Sequence, residues 1–579
     1  MSNIKLIQQK IDSILRFLTP HYLKFVNCHM VNYLTDDHWR TFIPGEIQDE
    51  ISSDASKISE LLQKFMTSST GYDADIAQNY PKTKKFIEET RKFTLTGMPD
   101  VCYSLACLQN ELKNFGLHVT LESPLKIKEF MSPKKNHEVE IAAQIISDLS
   151  KYIETTSDSC QNSIIIDAGD GKGYLSSMLA LQYGKLVLGI DASEINTKGA
   201  ESRKQKMTRN YRPITQFIDE NTDFTALAKE NFDKSFDNFI LTGLHTCGNL
   251  APNSLKIYQN NDKIKGLVNI GCCYHLLVEE FVEDIFYNEQ KYEINKNSKG
   301  FPLSSYLKDK KIFLGRNARM HASQSVPRFF AEKDLPNKTL HYRAMLEVIL
   351  QETFTDDLER KKFLVGKSKA TNFEEYVESA FKKFNFESKI PSREQINEIE
   401  AKYDASLAQL QLFYVLRLFL APVTESLIIL DRLLYLKENE FEKSYIVELF
   451  DKVVSPRCYG IISLQSYRYP LIVVIIVDVV LYVVTTVELT LDWHLVSSWN
   501  YLYTHHLTRN YLKDLGFRDD YVQLVDSVVE VVLVPFSPIL PAECDFSDGC
   551  KTAADSELRK LPVVDIICQL PTDNDDDDS

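Results

Sequence analysis

The spacing of apolar residues changes character three times along this chain. In the first stretch Ile4, Ile7, Ile11, Ile14 and Leu18 recur every three or four residues, which lines up one face of a helix. Asp36, Asp37 and the Pro44-Gly45 pair mark turns after it. Residues 1–125 read as a helical region that caps a neighbouring domain or positions its substrate. From 126 to 345 short β-rich runs alternate with helical stretches. Ser163–Asp167, Leu186–Asp191, Ile214–Ile218, Asn238–Gly243 and Gly266–Cys272 are the predicted strands, with helices over Tyr174–Tyr183 and Asn196–Met207. Such alternation predicts an α/β domain, a parallel sheet covered on both faces. From 346 to 462 the helical period returns. Leu407, Leu410, Phe413, Leu416 and Leu420 form one stripe, and Ile428 to Leu436 continues it beyond Pro422. A Leu-dominated stripe of this kind is most simply a packing core. Residues 463–579 differ again. Leu471 to Leu489 is almost wholly apolar and rich in Val and Ile, which favours strand over helix. Asp478 near its middle would be costly inside a bilayer, so a membrane span is not expected. Asp573 and Asp575 to Asp578 form an acidic tail suited to solvent.

Charge and cysteine content narrow the function classes. A net charge of −15 argues against a protein that coats nucleic acid, a task that needs a basic surface. Between Lys126 and Arg343, however, Lys and Arg slightly outnumber Asp and Glu. Eleven cysteines, an odd number with no CxxC pair, fit free thiols in a reducing compartment. The first twenty residues lack the continuous apolar core of a secretory signal. The expected location is intracellular, cytoplasmic or nuclear.

The strongest chemical signal is a strand, a glycine loop, a helix and a second strand ending in an acid. Ile164-Ile165-Ile166 leads into Asp167, and Gly169, Gly171 and Gly173 follow at alternate positions. Glycines there let the backbone turn sharply and approach a ligand closely. Leu188-Gly189-Ile190-Asp191 then places a carboxylate about two dozen residues beyond Asp167, where it reaches the ribose hydroxyls of an adenosine. A dinucleotide loop would need glycine at 174, where Tyr174 stands. Asp167 suits a cationic sulfonium cofactor better than a pyrophosphate. S-adenosylmethionine is therefore the expected cofactor, held by Asp167, Gly169, Gly171, Gly173 and Asp191.

Two further clusters follow predicted strands. Gly243-Leu244-His245-Thr246-Cys247-Gly248-Asn249 follows one, and Gly271-Cys272-Cys273-Tyr274-His275 ends the next. The carboxyl ends of parallel strands line the site in open α/β sheets. His245 and His275 are the candidate bases, with Cys247 and Cys273 as pocket residues. No metal is expected, because adjacent Cys272 and Cys273 should face opposite ways in an extended segment. Lys134 and Lys135, and later Arg316 and Arg319, are cations available to an anion.

Together these stretches resemble the methyltransferase-like protein 25 family, related to the rRNA-adenine-dimethylase-domain proteins. The matching residues are Ser132 to Val139, the Asp167–Gly173 loop, Gly189-Ile190-Asp191, Gly243 to Ala251 and Gly271 to Leu277. Gly300 to Ser304, Leu314 to Ser325, Leu418 to Leu436 and Ser455-Pro456-Arg457 extend it, over roughly residues 1 to 460. The resemblance implies a Rossmann-like class I methyltransferase sheet with helical flanks. Asp170 and Tyr174 depart from the family pattern. Beside the carboxylate of a bound cofactor, Asp170 should weaken binding by repulsion unless Lys172 offsets it. The expected activity is methyl transfer to a macromolecule, RNA or protein. A catalytically silent cofactor-binding scaffold is the alternative, and an NAD-dependent oxidoreductase a distant third.

Overall fold

The structure is a computed structural model that describes residues 2–51, 55–114, 131–156, 163–204, 210–281, 298–355 and 370–465. The apolar run at 471–489 and the acidic tail lie outside the described residues.

Ile164, Ile165 and Ile166 place β2 (Ser163–Ala168) in the centre of a sheet, with almost no exposed surface. It pairs in parallel with β3 (Val187–Asp191) on one side and β5 (Asn238–Cys247) on the other. The ladder extends in parallel to β4 (Tyr211–Thr215) beyond β3 and to β6 (Ile264–Cys272) beyond β5. Helices Tyr174–Gln182, Glu194–Lys204, Phe224–Phe232 and Leu250–Gln259 make the crossovers. The expected α/β class with a parallel core is what folds.

Three elements depart from the sequence reading. β4 begins at Tyr211 and ends at Thr215, whereas the reading placed it over Ile214–Ile218. Pro213 disguises the strand, since proline cannot donate to a ladder. It is tolerated because β4 is the outermost strand. β5 runs on to Cys247, because its pairing with β6 resumes at Thr246↔Gly271 and Cys247↔Cys272 after an irregularity beyond Gly243. The third departure is largest. Residues 346–462 are not wholly helical, since β7 (Lys443–Glu448) and β8 (Tyr459–Leu464) join the sheet. β8 pairs antiparallel with both β6 and β7, and β1 (Cys102–Ser104) adds in parallel to β7. The full order is β1-β7-β8-β6-β5-β2-β3-β4. All six residues of β8 are buried, so it shows no alternation to betray it in the sequence. The sheet thus draws strands from both helical flanks.

The predicted amphipathic stripe is real. Ile7, Ile11, Ile14 and Leu18 are buried in helix Ser2–Leu18, which packs against helix Ala421–Glu438. That second helix continues the Leu-rich stripe and carries buried Glu425, Asp431 and Arg432 toward the sheet. Helices Lys338–Thr353, Phe373–Lys383 and Arg393–Tyr403 close around a separate small core of Met345, Ile349, Phe373, Val377 and Phe381.

Candidate active site at the carboxyl edge of the sheet

The glycine loop leaves β2 in a run that only glycine adopts readily. Gly169, Gly171 and Gly173 all have positive φ, at 84°, 61° and 71°. Gly169 and Asp170 donate to Ile190 O, which pins the loop over β3. A Cβ on Gly171 would meet nothing closer than Gly169 O at 3.9 Å, so the outer side of the loop is open.

Asp170 does not face that open side. Its carboxylate accepts from Ser176 Oγ at 2.7 Å and from the Tyr211 hydroxyl, and it packs over Gly189 of β3. Ser176 Oγ also lies 2.9 Å from Asp167 Oδ2, so its single hydroxyl hydrogen serves the two carboxyls in turn. Asp167 and Asp170 flank the same Ser176 hydroxyl, and their mutual repulsion favours one of the two carboxyls keeping its proton. Burial pushes both carboxyls above the ordinary range, and the neighbouring Asp191 adds to it. The repulsion expected between Asp170 and a bound cofactor's carboxylate is therefore weakened: Tyr211 and Ser176 turn the side chain inward and take up part of its charge. Gly189 makes this possible, because a Cβ there would stand 2.5 Å from Asp170 Cγ and 2.9 Å from a Tyr211 ring carbon.

Asp191 ends β3 at the rim. Oδ1 accepts from Ser193 N at 2.8 Å and Asn196 Nδ2 at 3.1 Å, and Oδ2 accepts from Gly171 N at 3.0 Å. A carboxylate has about four lone-pair sites, so Oδ2 keeps one for a hydroxyl. Asp167 is 2 % exposed and lies beneath the loop, so its influence on a ligand is electrostatic.

At the ends of β5 and β6 the structure assembles the His and Cys clusters. His245 Nε2 lies 3.0 Å from Glu138 Oε2. Glu138 is fully buried in helix Pro133–Thr156, and its other oxygen accepts from Ser455 Oγ at 2.5 Å. Burial alone would raise this carboxyl. The hydrogen bonds from His245 and Ser455 outweigh it and hold Glu138 below its ordinary value. Ionised, Glu138 can only accept, so Nε2 carries the hydrogen and Nδ1 the lone pair of neutral His245. Glu138 and Ser455 both lie in stretches that carry the family resemblance, but nothing in the sequence gave either a partner. His245 and Glu138 are 107 residues apart, and Glu138 and Ser455 are 317.

His275 is the middle residue of a 3-10 turn over Tyr274–Leu276. Burial and the charges of Arg316 and Arg319 lower its pKa against the opposing pull of Cys273, so the ring is neutral at physiological pH. Tyr274 is held from behind: its hydroxyl donates to Glu425 Oε1 at 2.9 Å, and Arg432 and Arg457 lie 5.7 and 5.8 Å from its ring centroid.

The cysteines correct the sequence reading. Cys272 and Cys273 do not face apart. Cys273 sits in the left-handed region at φ 50°, which ends the extended backbone and breaks the alternation. Sγ of Cys272 lies 3.1 Å from Sγ of Cys247 and 3.7 Å from Sγ of Cys273. The three sulfurs therefore converge on one side, within 4.8 Å of one another.

Among the candidate cations, Arg319, Lys134 and Lys135 have defined partners. Arg319 is fully buried, donates to Tyr274 O at 3.1 Å and Leu277 O at 2.6 Å, and pairs with Glu279 at 3.1 Å. It fastens the β6 loop and is not offered to an anion. Lys134 approaches Glu138 at 3.7 Å, and Lys135 stands 4.9 Å from the Tyr174 ring centroid.

Residues 134–280 match the family model described as a methyltransferase domain. Over 80 % of its length the chain is 28 % identical to probable methyltransferase-like protein 25 of Homo sapiens, covering 98 % of that protein. The counterpart of Mus musculus is 26 % identical over 79 % of the chain and 97 % of its own length. Among solved structures, coclaurine N-methyltransferase bound to N-methylheliamine and SAH aligns with 58 % of this chain and 92 % of its own, at 15 % identity and a TM-score of 0.19. The plantazolicin methyltransferase BpumL with SAH aligns with 33 % of this chain and 62 % of its own, at 16 % identity and a TM-score of 0.18. The chain therefore carries a methyltransferase domain and is a relative of the proteins named methyltransferase-like protein 25.

Proposed function

We propose that this methyltransferase domain uses S-adenosylmethionine and methylates a macromolecular acceptor, RNA or protein, inside the cell. One observation carries the cofactor reading. Asp167, Asp170 and Asp191 gather three carboxyls under and beside the glycine loop. The Asp191 carboxylate at the rim, with the negative charge left on the Asp167–Asp170 pair beneath the loop, favours a cationic sulfonium over the pyrophosphate of a dinucleotide. Gly169, Gly171 and Gly173 supply the open cradle, and Asp191 Oδ2 receives a ribose hydroxyl. The cofactor brings a methyl group that is already activated. The chain's own residues orient the acceptor and take its proton. His245 is the better base, since Glu138 fixes its tautomer and leaves Nδ1 basic. His275, neutral and beside Cys273, is the second, and Cys247 and Cys273 line the pocket. The helical regions on both sides of the domain, larger than a small-molecule enzyme needs, favour a macromolecular acceptor.

Calorimetry with S-adenosylmethionine, and with NADH as the competitor, tests the cofactor: binding of the first alone is expected. Transfer of labelled methyl to cell extract, followed by nuclease or protease treatment, then identifies the acceptor. Cofactor binding without any labelled RNA or protein would mean a silent scaffold, and tight NADH binding alone would overturn the assignment.

A further inference from the structure

We propose that Cys247, Cys272 and Cys273 form a three-thiolate site for a soft divalent ion, zinc, with its fourth position open. The three Sγ atoms lie within 4.8 Å of one another. Zinc–thiolate bonds of about 2.3 Å in a tetrahedron set neighbouring sulfurs about 3.8 Å apart. The Cys272–Cys273 separation of 3.7 Å already fits, and the 3.1 Å between Cys247 and Cys272 needs only a small opening.

The backbone explains why the sulfurs converge. Cys247 and Cys272 are register partners on the parallel strands β5 and β6. Gly248 N donates to Cys272 O, which holds the two strand ends together. Cys273 then turns through its left-handed φ and brings its sulfur back to the same side. A second feature points the same way. Arg432 is 2 % exposed, lies against Gly271 at the base of the cluster, and has buried Nε and Nη2 atoms with no hydrogen-bond partner. The Tyr274 ring and the Asp431 and Glu425 carboxyls offset part of its charge, but two buried donors without an acceptor remain costly. Three thiolates on a divalent ion carry one net negative charge, which Arg432 would balance as an outer partner. Cys247 is exposed and Cys272 buried, so the ion would enter from the Cys247 side and keep one coordination position toward solvent or an acceptor. Uptake releases thiol protons and involves no electron transfer.

The test uses the full-length chain, reduced and stripped of metal with a chelator. Titration with Co2+ should give one tetrahedral, sulfur-ligated ion per chain, read from its d–d and thiolate charge-transfer absorbance, and displaced by Zn2+. Cys247→Ser, at the exposed position, and Cys273→Ser should each lose that signal. Cys107→Ser, an exposed thiol elsewhere, should keep it. S-adenosylmethionine affinity measured on the same samples keeps the outcome separate from the cofactor reading. The proposal is overturned if no tetrahedral cobalt spectrum appears, or if the Cys247→Ser/Cys273→Ser double variant binds Co2+ as the unaltered chain does.

Discussion

Gly189→Ala tests the inward placement of Asp170 most directly. The new methyl would stand 2.5 Å from Asp170 Cγ and 2.9 Å from the Tyr211 ring, where ordinary contacts are 3.4–4 Å. Something must move by about 1 Å, and overpacking of that kind costs about 1–3 kcal/mol. Asp170 cannot swing away without loss, because it is tied to Ser176 at 2.7 Å and to the Tyr211 hydroxyl. Breaking one hydrogen bond to a charged or proton-sharing carboxyl adds about 1.5–3 kcal/mol. The expected single-variant loss is the sum of these, read from the urea midpoint with thermal unfolding as a second probe. Asp170→Ala removes the obstructing carboxylate. The double variant Gly189→Ala/Asp170→Ala should then lose less than the two singles together, by about 0.5–3 kcal/mol of coupling. Cofactor affinity should fall in Gly189→Ala, because a displaced Asp170 drags the loop, and should recover in the double variant. Strict additivity of stability and affinity would refute the reasoning. It would place the Asp170 carboxylate on the cofactor side, as the sequence alone suggested.

Glu138→Gln should lower kcat of methyl transfer by about 10²-fold or more with cofactor affinity unchanged, since a positioned base contributes that order; equal kcat in a folded variant would remove His245–Glu138 from the chemistry. The folded Glu138 carboxyl lies below its unfolded value, so its contribution to stability is present above the unfolded carboxylate range and disappears as pH falls through the folded value. Glu138→Gln should therefore flatten that acid limb in a pH series of unfolding midpoints. Asp431 behaves oppositely. Burial pushes it to about 6 against the hydrogen bonds from Leu303, Ser304 and its hydroxyl. The folded state holds that proton longer, so stability is greatest below the unfolded value and falls by about 3 kcal/mol as pH rises through 6; Asp431→Asn should abolish this slope, and an unchanged slope would count against the assignment. Arg319→Met should cost about 3–5 kcal/mol by leaving Glu279 buried without its cation, with no specific change in affinity for RNA or another polyanion; weakened polyanion binding at unchanged stability would return Arg319 to a binding role.

The sequence showed the α/β core because Ile164 to Ile166 and Leu188 to Asp191 are continuous apolar strands joined by a glycine loop. It also showed the helical stripe from Ile4 to Leu18. What it hid is non-local. β8 is buried at every position and carries no alternation, and β4 is disguised by Pro213. Glu138, Ser455, Arg432 and Arg457 stood in recognisable stretches, yet the Arg457–Glu425 and Glu138–Ser455 contacts span 32 and 317 residues, and no spacing rule pairs them. Asp170 looked like a defect while only the loop was visible. The small residue at 189 and the phenol at 211 that accommodate it lie on other strands. The cysteines were misread by extending a strand rule one residue past the point where Cys273 leaves the strand.

The insertion of β8 between β6 and β7 also sets an order for synthesis. A ribosome delivers β2 to β6 first, and their parallel core can pair as it emerges. The outer edge of β6 then stays open until Tyr459 to Leu464 arrive, after the chain from Arg316 to Glu438 has been made. Until that moment nothing closes Asn269 and Gly266 on their free side, and Glu138 lacks Ser455. Nascent chains that stop short of residue 464 thus present a bare apolar edge for chaperones or for their own kind, and the His245–Glu138–Ser455 contacts are complete only when β8 is threaded between β6 and β7.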